Sequence, residues 1–272
     1  MNRQERRRLE KLRQKTLSPQ DLKNPQAMLE KAFAHQQFEE YDTASGLYDQ
    51  VIEIDPDNAD AYHMRGAIAY AKEDYQTALE QISHAVQLNE QNPGYWTNLG
   101  NAMKELGQTE EAAKAYDNAL ALNPEFTVAA FNMGNLYREI DEHNEAIAAY
   151  QRALEVDANY AEAWLNLGTT YQAKGDQQNA ETAYNRPIQL EPGYVDAHNN
   201  LGNLLIDLNR LDEADAAINQ ALSLAEDFPD AYYNQGKLAE AKGDKAAARA
   251  AYERAVSLDE EYEDAKKALA AL

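Results

Sequence analysis

Apolar side chains recur along this chain at helical spacing, and the pattern then repeats as a block. Between Tyr95 and Pro124 two apolar-periodic stretches of helical length flank a polar break at Leu106, Gly107 and Gln108, which predicts two helices joined by a tight turn. The same arrangement returns every 34 residues. Gly66, Gly100, Gly134, Gly168, Gly202 and Gly236 stand one such interval apart, and Ala44, Ala78, Ala112, Ala146, Ala180, Ala214 and Ala248 form a second register without exception. A third register holds a large side chain four residues after each alanine: Tyr48, Ile82, Tyr116, Tyr150, Tyr184, Ile218 and Tyr252. Seven units result, beginning at residues 25, 59, 93, 127, 161, 195 and 229, with no insertion to shift the frame.

Each unit reads as a helical hairpin. Small residues occupy the places where its two helices must approach, and tyrosines fill the wider gaps. At the turn, Gly107, Gly175, Gly243, Asn209 and Asp141 are types that tolerate the left-handed backbone ending a helix, whereas Glu39 and Glu73 are poorer choices. Pro56, Pro93, Pro124, Pro192 and Pro229 stop one helix or start the next between units. No single hairpin can cover its own apolar face, so neighbouring hairpins must stack.

The third unit carries Trp96, Leu99, Gly100, Ala112, Tyr116, Ala119 and Pro124, and the fifth repeats Trp164, Leu167 and Gly168. This W-x2-L-G, A-x3-F/Y-x2-A and late-proline spacing resembles the tetratricopeptide repeat family over residues 25–262. Individual units depart from it. Ala32 replaces the glycine, Ala130 and His198 replace the early aromatic, and Glu90, Glu226 and Glu260 replace the late proline. The resemblance implies an all-α fold: a right-handed superhelical solenoid of seven 34-residue hairpins whose first helices line a concave groove. Residues 263–272 continue the register as half a unit, with Ala265, Leu269 and Ala270 facing the core, and read as a capping helix or as the place where a longer protein is cut.

Two residues before the shared glycine stand Asn98, Asn132, Asn166, Asn200 and Asn234, preceded by Glu30 and Met64 in the first two units. One residue after it come Asn101, Asn135 and Asn203, interrupted by Thr169. An asparagine offers an acceptor and two donors, so it can pair with both polar groups of a peptide backbone. A ladder of them would hold an extended chain with little regard for its side chains. This resembles the superhelical repeats of O-linked N-acetylglucosamine transferase, and the resemblance implies peptide contact. The same amides can instead hydrogen-bond to the neighbouring hairpin.

Helical spacing adds Asp60, Glu162, Asp196 and Asp230 near the starts of the groove-lining helices and Glu105, Glu139, Asp207 and Glu240 near their ends, opposed by Lys104, Arg138 and Lys237. Such a groove favours a neutral-to-basic segment. Leu29, Phe33, Tyr70, Phe131, Leu165, Ile206 and Tyr233 lie on the same face, as side-chain pockets or as packing between hairpins. The places where chaperone-binding relatives are expected to carry lysine hold Leu29, His63, Thr97 and Phe131, which argues against that role.

Composition narrows the classes further. The 272 residues hold 25 Lys and Arg against 47 Asp and Glu, a formal charge of -22 that opposes nucleic acid and anionic membranes. A mean hydropathy of -0.73 and the lack of any long apolar run exclude a membrane span, and the absence of cysteine removes disulfides, thiolate metal sites and cysteine nucleophiles. Residues 1–24 differ: eight basic side chains against three acids give +5, leaving -27 for the rest. This head reads as a basic helix over residues 2–15, with Leu9 and Leu12 as its apolar stripe, or as a solvated tail, and it lacks the apolar core of a secretory signal. Pro187, where other units have alanine, predicts a kink in the second helix of the fifth hairpin.

No phosphate loop, hydrolase elbow or metalloprotease motif is present, and His35, His63, His84, His143 and His198 share no ligand spacing. Residues 55–60 suggest a calcium loop faintly and a turn better. The expectation is therefore a cytoplasmic, non-catalytic protein–protein interaction scaffold, without cofactor or metal, that binds an extended neutral-to-basic peptide. Its predicted contacts are Asn98, Asn101, Asn132, Asn135, Asn166, Asn200, Asn203, Asn234, Lys104 and Arg138. The alternatives are the recognition arm of a larger enzyme such as a glycosyltransferase, or a self-assembling scaffold that uses its basic N-terminus to form homo-oligomers.

Overall fold

Every 34-residue unit becomes two helices in the computed structural model, which describes residues 1–272 and contains no strand. After a leading helix α1 (Arg3–Gln14) and a short 3-10 turn, the pairs are α2 (Pro25–Gln37) with α3 (Tyr41–Ile54), α4 (Ala59–Ala71) with α5 (Tyr75–Leu88), and α6 (Pro93–Glu105) with α7 (Thr109–Leu122). After α8 (Thr127–Glu139) and α9 (His143–Val156) come the pairs α10 (Ala161–Ala173) with α11 (Gln177–Leu190), α12 (Val195–Asp207) with α13 (Leu211–Leu224), and α14 (Pro229–Ala241) with α15 (Lys245–Leu258). A last helix, α16 (Glu263–Ala271), follows. Each first helix has 13 residues and each second helix 14. The chain forms two compact units, Met1–Leu136 and Tyr137–Leu272.

Local chemistry sets the helix ends. Asn24, Asn58 and Asn92 cap first helices by accepting a backbone N–H, the first and last just ahead of a proline, and Asp74, Asp176 and Asp244 do the same for second helices. All seven turns within pairs place one residue in the left-handed region at the same register: Glu39, Glu73, Gly107, Asp141, Gly175, Asn209 and Gly243. Around Glu73 the Asp74 N–H donates to the Ala69 carbonyl and the Glu73 N–H to that of Tyr70, both at 2.9 Å. This closes the helix end with the two bonds of a Schellman motif. The two glutamates therefore adopt the conformation that their side chains disfavour.

Packing explains the glycine register. A Cβ built on Gly100 would lie 2.6 Å from Tyr116 Cε1, and one on Gly168 would lie 2.6 Å from Tyr184 Cδ1. The ring lies against the bare backbone of the opposing helix. Tyr48, Tyr116, Tyr184 and Tyr252 are fully buried, and each satisfies its hydroxyl on the first helix of its own pair, through Gln36, Asn101, Gln172 and Glu240 respectively. Burying a ring of this size contributes about 1.5–3 kcal/mol, provided that its hydroxyl finds such a partner. α11 runs without interruption through Pro187, which is buried where other pairs bury alanine, so the expected bend does not break the helix.

The basic head is helical and docked. Leu9 of α1 is buried against α2, Arg13 pairs with Glu40 at 2.8 Å and lies 4.3 Å from the Phe38 ring centre, and Lys15 pairs with Asp21 at 3.3 Å. At the other end Ala265 of α16 is buried, and Leu269 and Leu272 pack half-exposed against the Tyr252 cluster. No helix is long and apolar enough to cross a membrane.

Candidate functional site

In the compact unit Met1–Leu136, the asparagines of the first helices form ties between hairpins. Asn98 Nδ2 lies 2.7 Å from His63 Nε2 on α4, and Asn132 Nδ2 donates to Asn101 Oδ1 at 2.9 Å. Asn101 also accepts the Tyr116 hydroxyl at 2.7 Å, so one side chain joins both helices of its own hairpin to the next. Asn98, Asn101, Asn132 and Asn135 all remain partly exposed. Beside them Lys104 pairs with Glu105 at 3.0 Å, and Glu105 also accepts the Tyr70 hydroxyl at 3.2 Å.

Charge accumulates around a buried ring in the same unit. Burial pushes the His63 imidazole down to about 4, opposed by the nearby Asp60 carboxylate, so the ring is neutral near pH 7. It lies 4.6 Å from the Tyr95 ring centre. The Tyr95 hydroxyl donates to Asp60, and burial together with that carboxylate pushes its pKa upward. On the same side α2 and α4 enclose a cleft of about 250 Å³ with Leu29, Phe33 and Met64 as apolar walls and Glu30 and Asp60 as acids. Phe33 is exposed despite its size.

The compact unit Tyr137–Leu272 repeats the theme with different partners. Asn234 Nδ2 donates to Asn199 Oδ1 at 2.8 Å, and both side chains are buried. Lys237 donates to Asn203 and lies 3.8 Å from Asp207. Arg138 and Asn166 both hydrogen-bond with the buried Tyr150 hydroxyl; burial raises that phenol and these two contacts partly offset the rise. Asn200 is partly exposed and its amide has no partner within the chain. Glu240 and Asp230 accept tyrosine hydroxyls, from Tyr252 at 2.5 Å and Tyr262 at 2.6 Å.

Among the residues singled out in the sequence, Asn98, Asn101, Asn132, Asn166, Asn203, Asn234, Lys104 and Arg138 thus all hold intramolecular contacts, and Asn234 is withdrawn from solvent. Sequence reasoning missed His63 and Asn199 as their partners. Both sit one register place before the ladder, and each bond spans 35 residues, one more than the repeat. A second cleft, about 450 Å³, lies between α9, α10 and α11, lined by Trp164, Leu167, Leu154 and Tyr171.

Tetratricopeptide repeat models match residues 47–80, 93–126, 134–175, 161–194 and 199–266. No curated protein matches the sequence. Several solved structures share the fold. A tetratricopeptide repeat protein from Parabacteroides merdae is 22% identical with a TM-score of 0.68, over 90% of this chain and 97% of its own. PilW, a type IV pilus biogenesis factor, is 21% identical with a TM-score of 0.68, covering 78% of this chain and 98% of its own. YrrB, described as having an unusual peptide-binding site, is 23% identical with a TM-score of 0.56, covering 70% and 98%. At these identities the likeness establishes the fold.

Proposed function

Because this chain belongs to the tetratricopeptide-repeat family, whose stacked hairpins serve as protein-interaction scaffolds, we propose that it holds extended, neutral-to-basic peptide segments against its first helices. The observation that carries this reading is the cleft between α2 and α4. Its Leu29, Phe33 and Met64 walls suit an apolar side chain, while Glu30 and Asp60 suit a lysine or arginine beside it. The peptide-binding site described for the similar YrrB supports the reading.

The asparagine ladder divides into two roles under this proposal. Asn98, Asn132 and Asn234 spend an amide N–H on the adjacent hairpin, which fixes the spacing of the first helices. Asn200, with its amide unengaged, is the residue most available to a peptide backbone in the second unit. Lys104 and Arg138 are occupied by Glu105 and Tyr150 and stiffen the surface around these amides.

Fluorescence anisotropy with two labelled peptides, a leucine flanked by lysines and the same leucine flanked by glutamates, tests this. The lysine peptide should bind and the glutamate peptide should not. Phe33→Lys should weaken binding by at least about tenfold by adding a like charge and removing an apolar wall. Asn200→Ala should weaken a longer peptide without changing thermal stability, since no internal bond is lost. Equal affinity for both peptides, or indifference to both substitutions, would refute the proposal.

A further inference from the structure

The groove proposed above leaves the basic head unused, yet docking fixes the head as a surface. α1 packs on α2 with Leu9 buried, Arg13 reaches Glu40 at 2.8 Å, and the Lys31 ammonium of α2 donates to the Lys15 carbonyl at 2.5 Å. These contacts hold the helix in place and leave another of its faces bare. Arg3, Arg7 and Lys11 follow one another there at intervals of four residues, which sets them in a row about 6 Å apart along the helix. Arg8 stands beside the row. All four side chains are exposed and none pairs with an acid. Like charges at this spacing repel one another, so the row lacks a counter-charge of its own.

The row lines a cleft of about 810 Å³ between α1 and α2, completed by Leu12 and by Glu30. Glu5 and Glu10, the acids of α1, take no part in the lining. Glu30 also lines the cleft between α2 and α4, together with Asp60. Two clefts of opposite charge therefore share one side chain as their border, within the single compact unit Met1–Leu136.

We propose, resting on the peptide reading given above, that the cleft between α1 and α2 takes an acidic stretch of the same extended chain whose apolar and basic stretch lies between α2 and α4. The ligand is then a peptide of split charge. Carboxylates at alternate positions of an extended chain stand about 6.6 Å apart on one side, close to the spacing of Arg3, Arg7 and Lys11. Five residues, acidic at the first, third and fifth, meet the whole row. Glu30 sets the order of charges along the ligand, because it repels a carboxylate at the border and favours a lysine or arginine there. A nucleic acid fits less well, since its phosphates continue past the cleft over a body with a formal charge of -27 beyond residue 24. Exposed ion pairs are individually weak and screened by salt, so an acidic stretch alone adds little. Joined to the occupant of the neighbouring cleft, it binds at the high effective concentration of a tethered group.

Fluorescence anisotropy at about 0.05 M salt tests the proposal with three labelled peptides. One is the lysine-flanked leucine with a neutral glycine–serine tail; the others carry the tail Glu-Ser-Glu-Ser-Glu before or after the same core, because either chain direction suits the clefts. One acidic peptide should bind at least about tenfold tighter than the neutral one, and the gain should vanish at about 0.5 M salt. Arg3→Gln with Arg7→Gln and Lys11→Gln should remove the gain, leaving circular dichroism and the affinity for the neutral-tailed peptide unchanged, because all three side chains are exposed and unpaired. No gain from either tail, a gain that survives these substitutions, or tighter binding of a single-stranded oligonucleotide of about ten nucleotides would overturn the proposal. Failure of the neutral-tailed peptide to bind would instead overturn the reading of the cleft between α2 and α4. Binding of an acidic-tailed peptide that still depends on the row would then keep the α1 site, and no binding at all would remove both.

Discussion

Glu73 sits at φ 61° in a turn where three other hairpins place glycine, and the cost of that choice can be worked out. A left-handed backbone costs an L-residue about 1–2 kcal/mol, chiefly from its Cβ. Glycine escapes this strain but surrenders about 0.5–1 kcal/mol through its greater freedom in the unfolded chain. A glutamate near a helix C-terminus adds a few tenths of a kcal/mol of unfavourable dipole interaction. Glu73 is exposed and makes no side-chain hydrogen bond or ion pair, so Glu73→Gly removes strain and no contact. The net expectation is stabilisation by about 0.5–1 kcal/mol, with Glu39→Gly contributing similarly and additively because the two turns share no partner. Gly243→Ala is the reciprocal change. At φ 78° its Cβ would meet nothing within 4 Å, so any loss there comes from backbone strain alone, about 0.5–1 kcal/mol. Urea unfolding followed by circular dichroism reads all three, with midpoints compared at constant slope. A lower midpoint for Glu73→Gly, or no change for Gly243→Ala, would show that the left-handed turn does not govern these ends.

Other outcomes follow from the packing and the buried ring. Gly100→Ala gains about 1 kcal/mol of helix propensity but forces the fully buried Tyr116 ring to move, an overpacking cost of about 1–3 kcal/mol, so a net loss is expected in the same urea assay. His63 has a folded pKa near 4, below its unfolded value, so the unfolded state binds the extra proton between about pH 6.5 and 4. Its neutral burial contributes fully above that window, and stability should fall by up to about 3 kcal/mol as pH drops through it. His63→Gln should flatten the melting temperature across this interval, and an unchanged slope would mean that the ring is solvated. Asn199→Leu leaves the buried Asn234 amide without its acceptor and should cost about 1–3 kcal/mol, whereas Asn200→Leu should be nearly neutral.

The sequence by itself determined the repeat length, the position of every turn and the registers of glycine and of large side chains, while the structure showed that the two registers meet, with the tyrosine ring on the bare glycine backbone and not in a wider gap. These are short-range steric demands, and in the copies that carry glycine a Cβ within about 2.6 Å of the facing side chain leaves its mark on the alphabet at that place. Asparagine at the ladder was legible for the same reason, but its partner was not. Asn98 finds His63, Asn132 finds Asn101 and Asn234 finds Asn199, and those bonds depend on how far one hairpin is shifted against the next. That shift is fixed by packing across the whole hairpin face and by no single residue. Glu39 and Glu73 show the same division, because two helices already held by their cores impose a left-handed turn on whatever residue links them. The basic head, a helix or a tail on composition alone, became a docked helix only through Leu9 being buried and Arg13 meeting the turn after α2.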